Sequence, residues 1–304
     1  MSLFDSMVKH GLPFVPKFIV GKVAARYVAG ETLDDAADTV RELNAEGSMA
    51  TCDVLGEEVA ETARAEAAVE EYLRLLDKIG SDGLDANISI KPTLLGLKIS
   101  EDLCLRLVDT IVERAAAMGS FVRIDMEDHG CTDATLRIYR EVRERHGHVG
   151  VVLQAYLHRT VRDIGALLAE PPNIRLCKGI YREPRAIAWK DYGTVRANFV
   201  YCLEKLLAAG AYVGIATHDT YLVWAGMAAV DRLGLRPDQY EFQMLLGVDP
   251  ELRRIILSNG HRLRVYVPYG RDWYPYSTRR LRENPTVAKH VMRAMLGLQP
   301  RSGG

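Results

Sequence analysis
Thr32-Leu-Asp-Asp-Ala-Ala-Asp-Thr-Val-Arg-Glu-Leu-Asn-Ala-Glu-Gly47, with Met49-Ala-Thr-Cys-Asp-Val54 close behind it, sets the rhythm of this chain. Thr32 and Asp35 are spaced as a capping box, and Leu33, Ala36, Ala37, Val40 and Leu43 share one face of a helix that Gly47 ends. Met49–Val54 has the length and composition of a short strand. A second helical pattern covers residues 57–79 and stops at Gly80. The unit is helix, strand, helix.

Outward from this stretch the same beat recurs. Strand-like runs fall at residues 86–90, 121–127, 150–156, 174–178, 212–217, 241–246 and 263–267, many of them nearly continuous in apolar residues. Helical patterns separate them, several with a glycine placed as a C-terminal stop: Gly119, Gly147, Gly210, Gly234 and Gly260. About eight strands alternating with helices predict a closed, TIM-like (β/α)8 barrel. An open doubly wound sheet would usually carry a glycine-rich turn after an early strand, and the chain has neither G-x-G-x-x-G nor a Walker A loop. No linker or repeat divides it, so residues 1–304 are expected to form one domain, with N-terminal helices over 1–47 and the barrel over 48–297.

Composition narrows the function classes. With 304 residues, 48% hydrophobic and 26% charged, the chain can bury a large core without disulfides or metal. A net charge of -1 gives no reason to expect nucleic acid or an anionic membrane as the main partner. The five cysteines (52, 104, 131, 177 and 202) are scattered without zinc-ligand spacing, which fits reduced thiols in a cytoplasmic protein. The apolar stretch 14–28 is interrupted by Pro16, Lys17, Lys22 and Arg26, so it does not span a membrane. A helix packed on the barrel is the expectation there, with peripheral contact at the inner face of the membrane as the other reading.

Barrel enzymes place their chemistry at the carboxyl ends of the strands. Here those ends carry Lys91, Asp125, Glu127, Asp128, Gln154, Tyr156, Arg175, Lys178, the run Thr217-His218-Asp219, Gln243 and Tyr266. Buried ions are costly unless paired, and a structural pair such as Lys91 with Asp125 would explain one or two of them. So many on one rim suggest a site. Three readings compete. Asp125, Glu127, His129, His218 and Asp219 are metal-ligand types, yet there is no H-x-H on a strand and no H-E-x-x-H on a helix, and His146-Gly-His148 belongs in a solvated loop. A binding barrel without catalysis stays open but needs no such number of ionisable groups. A cofactor enzyme for a small anionic substrate fits the C-terminal element, where Arg279 and Arg280 open a last helix crossing the barrel top and could fork a carboxylate.

At this point the residues match a known family. Ser89-Ile-Lys91, Arg123-Ile-Asp-Met-Glu127, Gln154-Ala-Tyr156, Arg175-Leu-Cys-Lys-Gly179 with Tyr181, Ala216-Thr-His218, Glu241-Phe-Gln243, Tyr266 and Tyr276-x-x-Arg-Arg280 occur in an order and spacing that resemble the monofunctional bacterial proline dehydrogenases. The resemblance runs from about residue 49 to about residue 284 and implies a distorted barrel carrying FAD without a Rossmann fingerprint. It implies that Lys91, Arg279 and Arg280 hold the carboxylate of L-proline, and that Tyr266 and Tyr276 pack on its ring. Asp125 would order the pocket, and Arg175 would lie near the flavin N5. Met126, Gln154, Lys178, Gly179, Ile180, Thr217 and His218 would contact other parts of the cofactor, and Glu283 could pair with Arg279 in an empty site. Ile180 and Arg182 depart from the residues many members carry. The implied reaction is oxidation of L-proline to Δ1-pyrroline-5-carboxylate, with a membrane quinone as electron acceptor and a separate pyrroline-5-carboxylate dehydrogenase as a further partner. Hydroxyproline oxidation is the neighbouring alternative.

Overall fold
The computed structural model describes residues 21, 25–274, 276 and 277. The first helix, α1 (Leu33–Ala45), begins as its sequence dictates: the Thr32 side chain accepts from the Asp35 N–H, and the Asp35 carboxylate accepts from the Thr32 N–H. Its buried face is Ala36, Ala37, Val40 and Leu43. Then follow β1 (Met49–Val54), α2 (Thr62–Ser81), β2 (Ala86–Ile90), α3 (Glu101–Ala117), β3 (Val122–Ile124) and α4 (Thr132–Arg145). The chain continues through β4 (Val149–Gln154), α5 (Thr160–Leu167), β5 (Asn173–Cys177), α6 (Tyr192–Ala208), β6 (Tyr212–Ala216) and α7 (Thr220–Arg232). It ends in β7 (Tyr240–Leu245), α8 (Pro250–Ser258) and β8 (Leu263–Tyr269). All pairings are parallel and sequential, and β8 returns to β1, so the sheet closes into an eight-stranded barrel. This is the predicted architecture. The expected helices before α1 and across the barrel top, with residues 14–20 and 22–24 of stretch 14–28, lie outside the described residues.

The two faces of the strands differ sharply. Ile88, Ile90, Val122, Ile124, Val151, Leu153, Ile174, Leu176, Val213, Ile215, Phe242, Met244, Val265 and Val267 belong to the main hydrophobic cluster, along with Tyr72, Leu75 and Ile111 of the helices. Most of the residues alternating with them are polar on β2, β3, β5, β7 and β8, while β4 offers Gly150 and Val152 and β6 offers Gly214 and Ala216. Those five strands are thus alternating rather than continuously apolar, and hydrogen-bonded ions take much of the lumen that branched aliphatic layers commonly fill in this architecture. Arg264 donates from Nε to Glu241 (2.8 Å) and from Nη1 to the Ala50 carbonyl (2.7 Å). Arg123 donates to the carbonyls of Asn173 (2.8 Å) and Val151 (3.2 Å), passing over β4 at Gly150, where a Cβ would lie 2.3 Å from its Nη1. Part of the charge that the sequence assigns to the rim is therefore lumen structure.

Most strand ends from β4 onward lie within one or two residues of the sequence reading, and three other differences have a physical cause. β3 spans only Val122–Ile124 within the predicted 121–127, because the chain leaves the ladder after Asp125 N–H reaches the Ile90 carbonyl. α2 starts at Thr62 rather than residue 57 and runs past Gly80 to Ser81. Gly147 is not a left-handed stop: α4 ends when His146 turns extended, whereas Gly119, Gly210, Gly234 and Gly260 all have φ between 61° and 78°.

Candidate active site
The carboxyl ends of β2 and β3, with the middles of β5 and β8, bring one connected set of polar and charged groups to the barrel mouth. Arg175, at the centre of β5, donates from Nη1 to Asp125 (2.7 Å) and to Ser89 (2.9 Å), and from Nε to Gln243 (2.5 Å). Ser89 in turn donates to the same Asp125 oxygen at 2.8 Å. The other Asp125 oxygen accepts from the Tyr266 hydroxyl at 3.1 Å, and that hydroxyl accepts from the Lys91 ammonium at 3.2 Å. Both cations lie near the Tyr266 ring, Lys91 at 5.9 Å and Arg175 at 5.4 Å from its centre.

Asp53, fully buried in β1, is in direct contact with the Lys91 ammonium. Asp125 is 3.9 Å from it, so the pairing of Lys91 with Asp125 anticipated from sequence is the weaker of two. Burial opposes the Lys91 charge, but Asp53, Asp125 and Glu127 together outweigh burial and hold its pKa above the ordinary lysine value. Burial likewise pushes Asp53 up, an effect that Lys91 partly offsets. Asp53 was missed in the sequence reading. Its only trace there is alternation with Thr51 along β1, both inside a strand rather than at its end.

Glu127 has hydrogen bonds apart from those of Asp125: it accepts from the Thr93 N–H at 2.8 Å and from the Thr93 hydroxyl at 2.5 Å. Burial raises its pKa to about 7 in spite of those bonds. Burial also pushes the Cys177 thiol up to about 11, which keeps it protonated and poorly nucleophilic near neutrality. On the β5–β6 side Asp219 accepts from Lys178 (3.0 Å), Arg196 (2.5 Å and 2.8 Å) and the Tyr192 hydroxyl (2.5 Å). Burial alone would raise the Asp219 pKa, but these donors reverse it and hold the carboxyl far below the usual range. Tyr192 and Arg196 were not anticipated, since they stand on α6, away from the strand ends on which the reading concentrated.

A cavity of about 650 Å³ opens above these groups. Lys91, Asp125, Met126, Gln154, Arg175, Lys178, Gly179, Ile180, Thr217, His218, Tyr266 and Tyr276 all line it. Every site residue expected from sequence that falls in the described part thus meets at one place, while Arg279, Arg280 and Glu283 lie outside the described residues. His218 accepts from the Leu245 N–H through Nε2 at 2.8 Å, which puts the proton of a neutral ring on Nδ1. Among the described residues no group of three or more His, Cys, Asp or Glu is placed to hold a metal ion. His146 and His148 do not line the cavity and are bonded to Asp109 and to the Ser120 carbonyl.

Comparison with known proteins bears on this site. The family described as "Proline dehydrogenase" matches residues 36–293. "Proline dehydrogenase 1" of Bacillus subtilis subsp. natto is 38% identical over 294 residues, covering 97% of each chain. The chain belongs to the proline dehydrogenase family. "Proline dehydrogenase" of Deinococcus radiodurans is 37% identical over 279 residues, 90% of each chain. Among solved structures, proline utilization A (PutA) from Bdellovibrio bacteriovorus inactivated by N-propargylglycine superposes with a TM-score of 0.82 at 23% identity. That match takes in 87% of this chain and 33% of the other, so the chain spans about a third of that protein. It supports the barrel fold of the proline dehydrogenase family, and the ion network described above sits at the end of that barrel.

Proposed function
We propose that this member of the proline dehydrogenase family oxidises L-proline to Δ1-pyrroline-5-carboxylate with FAD held in the cavity at the carboxyl end of the barrel. The observation that carries the reading is the convergence of Lys91, Asp125, Arg175 and Tyr266 on one bonded network at the cavity floor. Family membership supplies the reaction class.

The residues present fit a flavin. Gln154 donates to the carbonyls of Met126 (3.1 Å) and Glu127 (3.2 Å), which fixes its amide, yet its buried Oε1 meets no hydrogen-bond partner among the described residues. An oriented, unmatched acceptor suits a ring N–H. Gly179 has φ 109°, and a Cβ there would lie 2.2 Å from the Tyr156 ring, so the backbone presents its own groups to the cavity without a side chain. Gln154, Gly179, Met126, Ile180, Lys178, Thr217 and His218 would hold the cofactor, which, when bound, supplies the hydride-accepting ring.

The chain's own part is binding and electrostatics. Lys91, with Arg279 and Arg280 of the C-terminal element, would hold the carboxylate of proline, and Tyr266 and Tyr276 would pack against its ring. Asp125 keeps Tyr266 and Arg175 in register. The Arg175 charge favours negative charge that develops next to it during the reaction. The ring nitrogen of proline must shed its ammonium proton before hydride can leave, so turnover should rise with pH toward the substrate amine's range. A membrane quinone is the proposed electron acceptor, reached from the cytoplasmic face, and a separate pyrroline-5-carboxylate dehydrogenase the consumer of product. Among the described residues no helix is long and apolar enough to cross a membrane.

An absorption spectrum of the purified protein tests this. The protein should be yellow and should bleach when L-proline is added without oxygen. A colourless protein, or a flavin that proline leaves oxidised, would overturn the reading.

A further inference from the structure
Arg175 is held on its Nε side by a second chain of groups that leads down into the lumen. Its Nε donates to Oε1 of Gln243 on β7 at 2.5 Å. The amide of Gln243 has two possible orientations, and only one offers oxygen to Arg175. Glu241, two residues earlier on the same face, decides between them: its Oε1 takes the Gln243 amide N–H. Glu241 is itself fixed, accepting from Arg264 Nε (2.8 Å) and from the Tyr212 hydroxyl (2.8 Å), and it lies almost wholly buried in the lumen. Arg175 and Gln243 stand on strands that are not neighbours, with β6 between them. They meet only because β6 has Gly214 at that height, paired in register with Arg175 on one side and Glu241 on the other. A Cβ at Gly214 would lie 2.5 Å from the Gln243 amide nitrogen.

We propose that Glu241, Gln243 and the space left by Gly214 form a positioning relay that sets the guanidinium of Arg175 in the cavity. Glu241 and Gln243 act through Arg175. Glu241 fixes the Gln243 amide, the amide takes Nε, and Asp125 with Ser89 takes Nη1. With those two positions engaged the plane of the guanidinium is defined from three strands. Nη2, which meets no acceptor among the described residues, is left as the edge that faces a ligand. A charge worth its effect in a transition state must already be oriented before the reaction begins, and this arrangement supplies that orientation from the barrel interior. The relay rests on the proposed placement of Arg175 beside the flavin.

The test is a double-mutant cycle on the holoenzyme, read by stopped-flow reduction of the flavin with saturating L-proline, with KM and flavin potential measured alongside. Gln243→Met removes both amide bonds. Gly214→Ala has a backbone conformation open to alanine and pushes only on the end of a flexible side chain, so it should fold while displacing the amide. Each should slow reduction roughly ten- to a hundredfold and lower the flavin potential, with KM for proline changed less than about threefold. In an Arg175→Met background, Gln243→Met should add less than about twofold, because its effect runs through the group already removed. Additive losses, or near-normal reduction in both Gln243→Met and Gly214→Ala, would overturn the relay while leaving Arg175 in the site. Wild-type reduction in Arg175→Met would instead overturn the placement of Arg175, and the relay with it.

Discussion

A buried ammonium is tolerable only beside a counter-charge, and Lys91 depends on Asp53 more than on Asp125. Removing the charge in Asp53→Asn leaves the lysine in a dry pocket, and breaking such a buried pair costs about 3–5 kcal/mol. The ammonium should also become easier to deprotonate, because burial is opposed by one carboxylate fewer. If Lys91 holds the substrate carboxylate, KM for proline in Asp53→Asn should begin its alkaline rise at a lower pH than in wild type. Superimposable KM–pH profiles would remove Lys91 from substrate binding. The residues were unevenly legible in the sequence. Lys91, Asp125, Arg175 and Tyr266 stood out because an ion or hydroxyl near a strand end is conspicuous among apolar neighbours. Asp53, Glu241 and Arg264 were just as polar but sat in lumen positions that a barrel usually fills with aliphatic side chains, and only the register of neighbouring strands reveals what they meet.

At the level of elements, α7 shows how one side chain serves both fold and site. Asp219 is its N-cap, accepting from the Tyr221 N–H at 3.2 Å, and is also the counter-charge for Lys178 and Arg196. The depressed pKa gives the sign of its effect. Asp219 stabilises the fold above the unfolded carboxylate value of about 3.9, and that stability is lost as pH falls below it toward the lower folded value. The midpoint difference between wild type and Asp219→Asn should therefore be widest near neutral pH and should shrink steadily below about pH 4. Thermal melts of both proteins from pH 3 to pH 7 check this, and a difference independent of pH would mean that Asp219 acts only as a neutral cap. Element type was legible from α1 to β8, since period and capping chemistry are local. The failures were at ends governed by distant partners. β3 stops short because the chain after Ile124 turns toward groups elsewhere, Asp125 to Arg175 on β5 and Glu127 to Thr93 in the turn after β2. Gly147 follows a helix that ends in extended backbone and needs no left-handed residue.

The whole barrel converges on one cavity. Its walls take side chains from β4 at Gln154, β5 at Arg175, β7 at Gln243 and β8 at Tyr266, from Lys91 just past β2, and from the turns after β3 and β6. A ligand seated there touches elements far apart in sequence and binds them only when the barrel is closed. Its binding free energy is then added to global unfolding rather than to one local segment. At a hundredfold excess over its dissociation constant, the FAD proposed for this cavity should contribute about 2.7 kcal/mol, which for a domain of this size raises the melting midpoint by roughly 4 °C. Stripping the flavin should lower the midpoint of a single transition by a similar amount, and adding FAD back should restore it with a dependence on concentration. Differential scanning calorimetry of the holo, stripped and reloaded protein measures this directly. If the stripped protein instead showed two transitions, the cavity wall would be a separately folding part. If added FAD left the midpoint unmoved, the groups gathered at the mouth of this barrel would serve some other ligand, and the charged lumen beneath them would have to be explained by stability alone.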